Sequence, residues 1–293
     1  MIIVFGSINL DMIFSVAQLP RPGETLLAAG LSLEPGGKGA NQAVAAARSG
    51  AVVRMVGAVG LDAFADTALA GLRQAGVDLG AVLRTPAPTG VAAIATDRTG
   101  RNQIVVAPGA NLVARAEQVD DAHLNPDTVV LAQMETALAQ TAALIRRAHD
   151  RGARVLLNLA PAQALELEIL RLVDILLVNE AEGAWLAEHL GVQPGAVALQ
   201  QALGRVVIQT LGALGAEVAS PGEPHWLAPA PSVQAIDSTA AGDCFAGVLA
   251  ATLDLGAPLR AAVPRAVAAA SLCCTRRGSQ GSLPSATEID AFM

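Results

Sequence analysis

The sequence predicts an α/β fold in which a doubly wound, mostly parallel sheet is flanked by helices and carries a small antiparallel β lid. Three observations support this prediction. Short apolar runs of strand length alternate with helical stretches along most of the chain. Several helical stretches end at a glycine, the residue that commonly follows the last turn of a helix. Two segments interrupt the alternation and have the pattern of antiparallel hairpins.

The predicted strands and helices come from runs of apolar and periodic residues. The apolar runs of strand length are 2–5, 52–56, 128–131, 155–159, 175–178 and 206–209. The helical stretches include 41–49, 65–74, 137–151 and 180–190, and glycines at 50, 76, 152 and 191 mark their ends. Continuous apolar runs are typical of parallel strands covered on both faces. Because the sequence shows no linker, we expect a single domain over residues 1–293.

The two hairpin segments lie in the first part of the chain. Residues 12–19 and 25–33 flank a Pro-Arg-Pro-Gly turn, and residues 91–96 and 103–107 flank a polar turn. We expect a lid formed by about residues 12–33 and 91–107. It should cover the carboxyl edge of the sheet, where the ligands of open α/β folds bind.

Composition and charge argue against a nucleic-acid partner. The net charge is -7 at pH 7, aromatic residues make up 2% of the chain, and tyrosine is absent. Binding to a phosphate backbone calls for basic patches, and single strands stack on aromatic side chains. A small phosphate ligand is compatible with this composition, because backbone N–H groups at a helix start can hold it.

Cysteine usage and apolar patterning indicate a cytoplasmic protein without a membrane partner. Cys244, Cys273 and Cys274 are odd in number and two are adjacent, which is not the pattern of a disulfide framework. The first residues lack a basic segment and read as a strand, not as a signal peptide. No apolar run reaches the ~18–20 residues of a membrane span without interruption. The histidines are too widely separated to indicate a metal site.

A glycine-rich segment at 35–42, Pro-Gly-Gly-Lys-Gly-Ala-Asn-Gln, opens a helix. It is not a Walker A loop, because Ser32 stands where the first glycine belongs and Gly39 follows Lys38. Consecutive glycines let a backbone approach a ligand, and Lys38 and Asn41 would then offer a cation and an amide to hydroxyl groups. The alternative is a helix-start turn with a solvated lysine.

A second segment, Asp-Ser-Thr-Ala-Ala-Gly-Asp at 237–243, precedes apolar residues at helical spacing. Small residues at a helix N-terminus leave N–H groups free to form an anion hole, which the helix dipole reinforces. Asp243 in this turn is a candidate general base for an attacking hydroxyl. The alternative is that Asp243 only begins the helix.

Polar residues follow other predicted strands. Asn179 and Glu182 come after residues 175–178 and have either the spacing of a capping box or a role near nucleotide phosphates, with Mg²⁺ ordered through water. Asn9 and Asp11 are expected to end the first strand, as Asx turns or as ligands of sugar hydroxyls. Glu135 follows the run at 128–131. It is either an exposed acid in the first turn of a helix or a candidate site residue at the same edge of the sheet.

Taken together, these segments resemble the ribokinase family of carbohydrate and nucleoside kinases. The resemblance is carried by Gly-Ser-Ile-Asn-Leu-Asp at 6–11, Gly-Gly-Lys-Gly-Ala-Asn-Gln at 36–42, Asn-Glu-Ala-Glu at 179–182, Thr-Leu-Gly at 210–212 and Ala-Ala-Gly-Asp at 240–243. It runs essentially from end to end, including Thr-Arg-Arg-Gly-Ser-Gln at 275–280. The chain looks most like the ribose-phosphorylating members, because the first two motifs are intact.

The resemblance implies transfer of the γ-phosphoryl group of MgATP to the primary hydroxyl of ribose. It implies that Asp243 is the catalytic base and that Ala240, Ala241 and Gly242 form the anion hole. The residues implied to bind the sugar are Asn9, Asp11, Gly37, Lys38, Gly39, Asn41, Glu135 and Asp243.

The resemblance also implies a nucleotide site, cations and a partner. The residues implied to approach ATP are Asn179, Glu182, Thr210, Gly212, Gly215 and Gly242, with Glu182 helping to order Mg²⁺. A monovalent cation, typically K⁺, is implied beside the anion hole, and the residues implied to hold it are Asp237, Thr239, Cys273, Arg276, Gly278 and Ser282. The last four would contribute mainly backbone oxygens. A homodimer that pairs through the lid is implied as well.

Two positions depart from the pattern that the resemblance leads us to expect. Cys244 follows the candidate base, where relatives commonly carry Thr, Ser or Ala. Val267 stands where some relatives place His or another polar residue near adenine, so the nucleotide preference stays open.

Other readings remain open at this stage. The same fold serves kinases of fructose, of deoxy-sugar acids such as 2-keto-3-deoxygluconate, and of nucleosides, and one hydroxyl in the pocket changes specificity strongly. A non-catalytic sugar or nucleotide sensor would have no need of Asp243 beside Gly242. An NAD(P)-dependent oxidoreductase would require a Gly-x-Gly-x-x-Gly motif after the first strand, which is missing.

Overall fold

A computed structural model describes residues 1–98 and 100–293. Thr99, which belongs to the polar turn of the second predicted hairpin, lies outside the described residues. The strands in chain order are β1 (Ile2–Phe5), β2 (Asn9–Ser15), β3 (Gly30–Gly36), β4 (Val53–Gly60), β5 (Asp78–Thr85), β6 (Gly90–Thr96), β7 (Asn102–Ala107), β8 (Val129–Ala132), β9 (Arg154–Asn158), β10 (Ile175–Asn179), β11 (Val206–Thr210), β12 (Ala216–Ala219) and β13 (Trp226–Ala228).

The helices alternate with the strands of the main sheet. They are α1 (Lys38–Arg48), α2 (Phe64–Ala68), α3 (Ala70–Gln74), α4 (Leu138–Asp150), α5 (Leu167–Leu170), α6 (Glu180–Leu190), α7 (Ala196–Leu203), α8 (Ala241–Asp254), α9 (Leu259–Cys273) and α10 (Ala286–Phe292). The stretch predicted as one helix at 65–74 is divided at Leu69 into the short helices α2 and α3.

The main sheet has the order β13-β12-β11-β10-β9-β8-β1-β4-β5. Its strands from β11 to β5 pair in parallel, and β12 and β13 add an antiparallel edge. The predicted α/β class with a mostly parallel sheet is confirmed. The strands β5, β12 and β13 were not predicted. The edge strand β5 alternates between exposed and half-buried residues, and β12 and β13 have only four and three residues, so none gives a continuous apolar run of strand length.

Two apolar layers cover the sheet, because successive side chains of each strand point to opposite faces. Ile2 and Val4 of β1 join the layer formed with α1, α8 and α9. Ile3 and Phe5 join the layer formed with α4, α6 and α7. All four side chains are fully buried, so β1 lies at the centre of the domain and the connection after Phe5 starts from a rigid position.

The lid is a separate four-stranded sheet with the order β3-β2-β6-β7. Both predicted hairpins are confirmed as antiparallel pairs, and a parallel pairing of β2 with β6 joins them. The first hairpin is shifted from its predicted bounds: β2 begins at Asn9 and β3 begins at Gly30. Pro20 and Pro22 lie in the long connection, where the missing N–H groups of proline cost no sheet hydrogen bond.

The shift in β2 corrects the predicted position of two candidate site residues. Asn9 and Asp11 were expected to end the first strand, but β1 ends at Phe5 and both residues open the lid strand β2. The apolar run from Ile2 and the polar positions that follow belong to two strands in different sheets. As residues i and i+2 of one strand, Asn9 and Asp11 point to the same face of the lid.

Close helix packing brings α1 against α8. A Cβ atom at Gly247 would lie 2.4 Å from the carbonyl oxygen of Gln42 and 2.7 Å from Cβ of Ala45. The absence of a side chain at this position therefore sets how near the two helices lie. Among the described residues, no helix combines the length and the apolar character needed to cross a membrane.

Replacing Gly247 by Ala should lower the free energy of unfolding by about 1–3 kcal/mol, because the added methyl group has no room. The matched control is Gly183→Ala in α6, where the nearest atoms to an added Cβ lie 3.4 Å away. There the higher helix propensity of alanine should leave stability unchanged or raise it by up to ~1 kcal/mol. Urea unfolding of both variants tests the difference, and an equal change in the two would contradict the packing argument.

Candidate active site

The connection after β1 and the start of α1 are in close contact. A Cβ atom at Gly39 would lie 2.6 Å from the carbonyl carbon of Gly6, and one at Gly37 would lie 2.8 Å from the backbone nitrogen of Asn9. Gly37 also has a positive φ of 91°, which favours glycine. These glycines therefore permit a close approach of the chain to its own backbone, which fixes where Lys38 and Asn41 begin their helix.

Glu135 is held at this contact by two hydrogen bonds. The hydroxyl group of Ser7 donates to Oε2 of Glu135 at 2.6 Å, and the backbone N–H of Lys38 donates to the same oxygen at 3.3 Å. Ser7 Oγ in turn accepts from the N–H of Gly39 at 3.3 Å. Glu135 is thus joined to both glycine-containing segments and is not a freely exposed acid.

The two candidate sugar-binding residues on β2, Asn9 and Asp11, are also held by neighbouring residues. Nδ2 of Asn111 donates to Oδ1 of Asn9 at 2.7 Å, and Oδ1 of Asn111 accepts from the N–H of Ile8 at 2.9 Å. The carboxyl group of Asp11 packs over Gly36, where an added Cβ would lie 2.2 Å from Oδ2 of Asp11. Both Asn9 and Asp11 are buried, so each has a single defined position.

Asp11 has a raised pKa. Burial and the negative charges of Glu135, Glu34 and Asp243 raise the pKa of its carboxyl group to about 7, although Lys38 opposes the shift. Glu34 lies directly opposite Asp11 in the antiparallel pair of β2 and β3. Like charges at directly opposed positions destabilise a sheet, and conflicts of this kind are typical of ligand sites.

Asp243 lies in the first turn of α8 and is buried. Nδ2 of Asn41 donates to its Oδ2 at 3.0 Å, and Nε2 of Gln42 donates to its Oδ1 at 2.9 Å. Both donors come from the first turn of α1, so the helix contact described above also orients the carboxylate. The amide contact of Asn41 with Asp243 was not predicted, because the sequence assigned Asn41 only to the sugar.

The backbone before α8 has an unusual conformation. Ala240 has a φ of 59° and a ψ of 9°, and it is the one non-glycine residue with positive φ among those the structure describes. Strain of this kind is concentrated at functional sites. The N–H of Ala241 donates to the carbonyl oxygen of Ser238 at 3.2 Å. Within the described part of the chain, the N–H groups of Ala240, Gly242 and Asp243 have no acceptor.

A cleft of about 240 Å³ opens beside this helix start. Its walls include Lys38 and Asp243 together with residues at the carboxyl ends of β9, β10 and β11, which is where open α/β sheets bind ligands. The residues that line it are Lys38, Asn158, Ala160, Leu177, Val178, Asn179, Glu182, Thr210, Ser238, Ala240, Ala241, Gly242, Asp243 and Phe245. Asn158, Ser238 and Phe245 were not among the predicted site residues.

The polar side chains of the cleft carry opposite charges close together. Burial alone would lower the pKa of Lys38, but the carboxylates of Asp243, Glu135 and Glu182 raise it. Burial raises the pKa of Glu182. Lys38 is therefore a permanent cation between the acids of the lid side and those of the cleft.

Asn179 and Glu182 form the capping box that their spacing indicates. The N–H of Glu182 donates to Oδ1 of Asn179, and the N–H of Asn179 donates to Oε2 of Glu182, each at 2.8 Å. Both side chains also line the cleft, so the capping interpretation and the site interpretation hold together. Capping fixes the orientation in which the two side chains face the cleft.

Two other predicted nucleotide residues lie beyond the cleft wall. Gly212 begins an exposed turn after β11, next to Thr210. Gly215 has a φ of 104°, and an added Cβ would lie 2.0 Å from the carbonyl oxygen of Ala228. The packing of the strand edge accounts for the glycine at 215 without a ligand.

The six residues predicted to hold a monovalent cation come from two segments that meet behind α8. Oδ1 of Asp237 accepts from the N–H and the hydroxyl of Thr239, and Oδ2 accepts from the N–H of Gly278. Although burial raises the pKa of Asp237, these hydrogen bonds lower it overall. Among the described residues, Asp237 has no cationic side chain within salt-bridge distance.

The second segment contributes two buried residues, and one side chain turns away. Sγ of Cys273 lies 3.0 Å from the hydroxyl oxygen of Ser282. The guanidinium group of Arg276 pairs with Glu288 at 2.7 Å, so only its backbone is available to a cation. In the described chain, no group of three or more His, Cys, Asp and Glu side chains has the arrangement of a metal site. A cation here would depend on one carboxylate and on hydroxyl and carbonyl oxygens, which suits a hard ion.

Comparison with known proteins identifies the family. The family model for the pfkB family carbohydrate kinases matches residues 1–286. The chain belongs to this family. It is 36% identical to a ribokinase of Haemophilus influenzae over 299 aligned residues, which cover 99% of this chain and 97% of that protein.

Solved structures of pfkB-family kinases have the same architecture. The crystal structure of a ribokinase from Thermotoga maritima superimposes with a TM-score of 0.91 at 35% identity, covering 99% of this chain and 98% of that one. A ribokinase from Arabidopsis thaliana, solved in complex with ribose and ATP, gives a TM-score of 0.88 at 29% identity and covers 99% of this chain and 97% of that one. The protein is therefore a kinase of the ribokinase type in fold and family.

Several residues that contact the candidate site residues were not predicted from the sequence. Ser7 and Gln42 stand inside the recognised motifs, so their position was a usable signal, but no contact could be inferred for them. Gln133 follows β8 two residues before Glu135 and bonds to Gln42. Asn111 comes from a short helical turn after the lid, where no local pattern marks it.

The raised pKa of Asp11 predicts how stability depends on pH. A carboxyl group that titrates near 7 when folded and near 3.8 when unfolded binds more protons in the folded state between these values. The contribution of Asp11 to the free energy of unfolding should therefore fall as pH rises from about 4 through 7, with a full penalty on the order of 2–4 kcal/mol. Asp11→Asn removes this penalty and should be increasingly more stable than the wild type towards pH 8.

Urea unfolding of the ligand-free protein at several pH values between 5 and 8.5 measures this effect. Asp78→Asn is the control, because hydrogen bonds from Gly80 and Arg54 lower the pKa of that exposed carboxylate. The difference in the free energy of unfolding between Asp78→Asn and the wild type should not shift in favour of the variant as pH rises. A difference between Asp11→Asn and the wild type that does not change with pH would contradict the assignment.

Proposed function

We propose that the protein transfers the γ-phosphoryl group of ATP to the primary hydroxyl of D-ribose, giving ribose 5-phosphate and ADP. The observation that carries this proposal is the position of Asp243 between two groups of residues. Asp11 and Glu135 lie on its lid side, Asn179 and Thr210 line the cleft on the other, and Lys38 lies between the two groups. Phosphoryl transfer requires that acceptor and donor meet in line at one point beside a base.

On the lid side, the polar groups suit a small polyhydroxylated acceptor. Asp11 and Glu135 would accept hydrogen bonds from hydroxyl groups, while Asn9, Lys38 and Asn41 would donate to them. The N–H group of Gly37 and the backbone of Gly39, whose own N–H donates to Ser7, complete this side of the pocket in our proposal. Hydroxyl groups that donate to the buried carboxyl group of Asp11 would stabilise its charged form and so lower its raised pKa.

Asp243 would act as the general base for the acceptor hydroxyl. Its carboxylate is oriented by two amide donors, and help from a positioned base contributes about 10²–10⁴-fold in rate. The unpaired N–H groups of Gly242 and Asp243 at the start of α8 would stabilise the charge on the transferring phosphoryl group. In this proposal Ala240 and Ala241 shape the hole, since their small side chains leave it open.

The cleft would hold the nucleotide, with Asn179, Glu182 and Thr210 nearest the phosphates and the turn at Gly212 and Gly215 beyond them. The oxygen-bearing side chains at 158, 179 and 182 suit Mg²⁺, which binds largely through water. When bound, Mg²⁺ would neutralise charge on the phosphates. Lys38 would pair with the phosphoryl group from the acceptor side.

A monovalent cation such as K⁺ would lie between the Asp237–Thr239 turn and the segment from Cys273 to Ser282. No cationic side chain of the described residues lies within salt-bridge distance of Asp237, although the charge of Arg277 acts on it from farther away, and the carbonyl oxygens of the two turns would supply further ligands. A cation at this place would keep the backbone before Ala240 in its strained conformation, and so preserve the anion hole. It would do so without contacting the sugar.

We also propose a homodimer that forms through the lid. Strand β7 is exposed along its whole length. Its exposed Val105 lies in register with the exposed Leu33 of β3 across the lid sheet, so both point to the same face. Apolar patches of this kind mark interaction surfaces. A second copy of the chain would cover them and would restrain the lid.

Val105→Glu should shift the protein to monomers, because it places a charge in the centre of the proposed interface. Val52→Glu is the matched control, since Val52 and Val105 have the same exposed fraction of 72% and Val52 lies before β4, outside the lid. Sedimentation velocity at one protein concentration compares the variants. A monomeric wild type, or a dimer that survives Val105→Glu, would count against the interface.

Asp243→Asn should lower kcat at least ~10²-fold, because the amide cannot accept the proton of the hydroxyl. Ribose binding, measured by calorimetry, should persist. Asp254→Asn is the matched control: it makes the same change in the same helix, but Asp254 pairs with the N-terminal ammonium group at 2.6 Å. Near-normal ADP release by Asp243→Asn would refute the role of the base.

A further inference from the structure

A chain of buried polar side chains runs behind the candidate base. Nε2 of Gln133 donates to Oε1 of Gln42 at 2.6 Å, and Nε2 of Gln42 donates to Oδ1 of Asp243 at 2.9 Å. Both glutamine side chains are fully buried, with an exposed fraction of 0%. No bulk water competes for these hydrogen bonds, so the chain determines the local geometry.

The chemistry of the three side chains determines which group donates and which accepts in these hydrogen bonds. A carboxylate only accepts hydrogen bonds, so Gln42 must present its NH₂ group to Asp243. Its oxygen then points the other way and requires a donor. Gln133 supplies that donor, and a reversed amide of Gln42 would set two oxygens against each other.

The position of Gln133 is defined by the end of β8 and by close packing against Gly6. It follows directly after the buried strand β8 and lies over Gly6, where an added Cβ would be 1.9 Å from its Oε1 atom. Within the described chain, this Oε1 has no hydrogen-bond partner. An unsatisfied buried oxygen is costly, so the bond that the NH₂ group makes to Gln42 sets the orientation of this amide.

We propose that Gln133 is a positioning residue for phosphoryl transfer, which acts through Gln42 to hold the carboxylate of Asp243 towards the acceptor hydroxyl. This inference rests on the proposed role of Asp243 as the base. The segment after β8 would then serve both the base and the sugar side. Two residues after Gln133, Glu135 accepts hydrogen bonds from Ser7 and Lys38 on the sugar side. A shift of this segment would disturb the base and the acceptor together.

Gln133→Met keeps the approximate size of the side chain and removes the donor. We expect kcat to fall about 10- to 100-fold, because a small misplacement of a reacting group has an effect of this size. The dissociation constant of ribose and the KM for ATP should change less than about threefold, since Gln133 contacts neither proposed binding site. Calorimetry and steady-state ADP release give the three quantities.

The double variant Gln133→Met/Asp243→Asn distinguishes positioning from a general structural role. If Gln133 acts through Asp243, kcat of the double variant should equal that of Asp243→Asn alone. Gln118→Met is the control for the loss of a glutamine donor, because Gln118 donates to the carbonyl oxygens of Gly57 and Ala81. It should keep the kcat of the wild type.

The outcomes separate this proposal from the one on which it rests. If Asp243→Asn retains turnover, the base assignment fails. If Asp243→Asn is inactive while folded Gln133→Met keeps the kcat of the wild type, or if the two effects multiply in the double variant, the positioning role is overturned. Should Gln133→Met not fold, Gln133→Leu applies the same test, since it also removes the donor to Gln42.

Discussion

The packing of the first turns of α1 against the first two turns of α8 is the interaction on which the site depends. Gly247 allows the two helices to approach, and Asn41 and Gln42 then bond to both oxygens of Asp243. Helix α1 begins at Lys38, and the contact of Gly37 and Gly39 with the backbone after β1 sets the position of this lysine. Loss of this contact would separate the base from the cation and the acids around it.

The sequence allowed much of this arrangement to be predicted, because the strands of the centre are buried on both faces. The runs that became β1 and β8 to β11 are continuous and apolar, and the candidate residues follow their carboxyl ends. The kinase assignment rested on motifs at those ends, and the family comparison agrees with it. The edge strand β5 alternates between exposed and half-buried residues, and β12 and β13 have only four and three residues, so none of them gave a recognisable apolar run.

The contacts that join the motifs could not be predicted, because they connect residues far apart in the chain. Gln133 reaches Gln42 across 91 positions, and Asn111 reaches Asn9 across 102. Local patterns carry no information on such partners. The misassignment of Asn9 and Asp11 has a related cause: only pairing with β3 and β6 reveals that the polar residues after Phe5 begin a second sheet.

The most direct test of the account is ADP release from MgATP with a panel of acceptors, each measured in KCl and in NaCl. The panel contains D-ribose, 2-deoxyribose, fructose, 2-keto-3-deoxygluconate and a nucleoside. We predict the highest kcat/KM with D-ribose, and faster turnover in KCl than in NaCl. A higher kcat/KM with another acceptor would contradict the proposed pocket, and no turnover with any of them would contradict the proposed reaction.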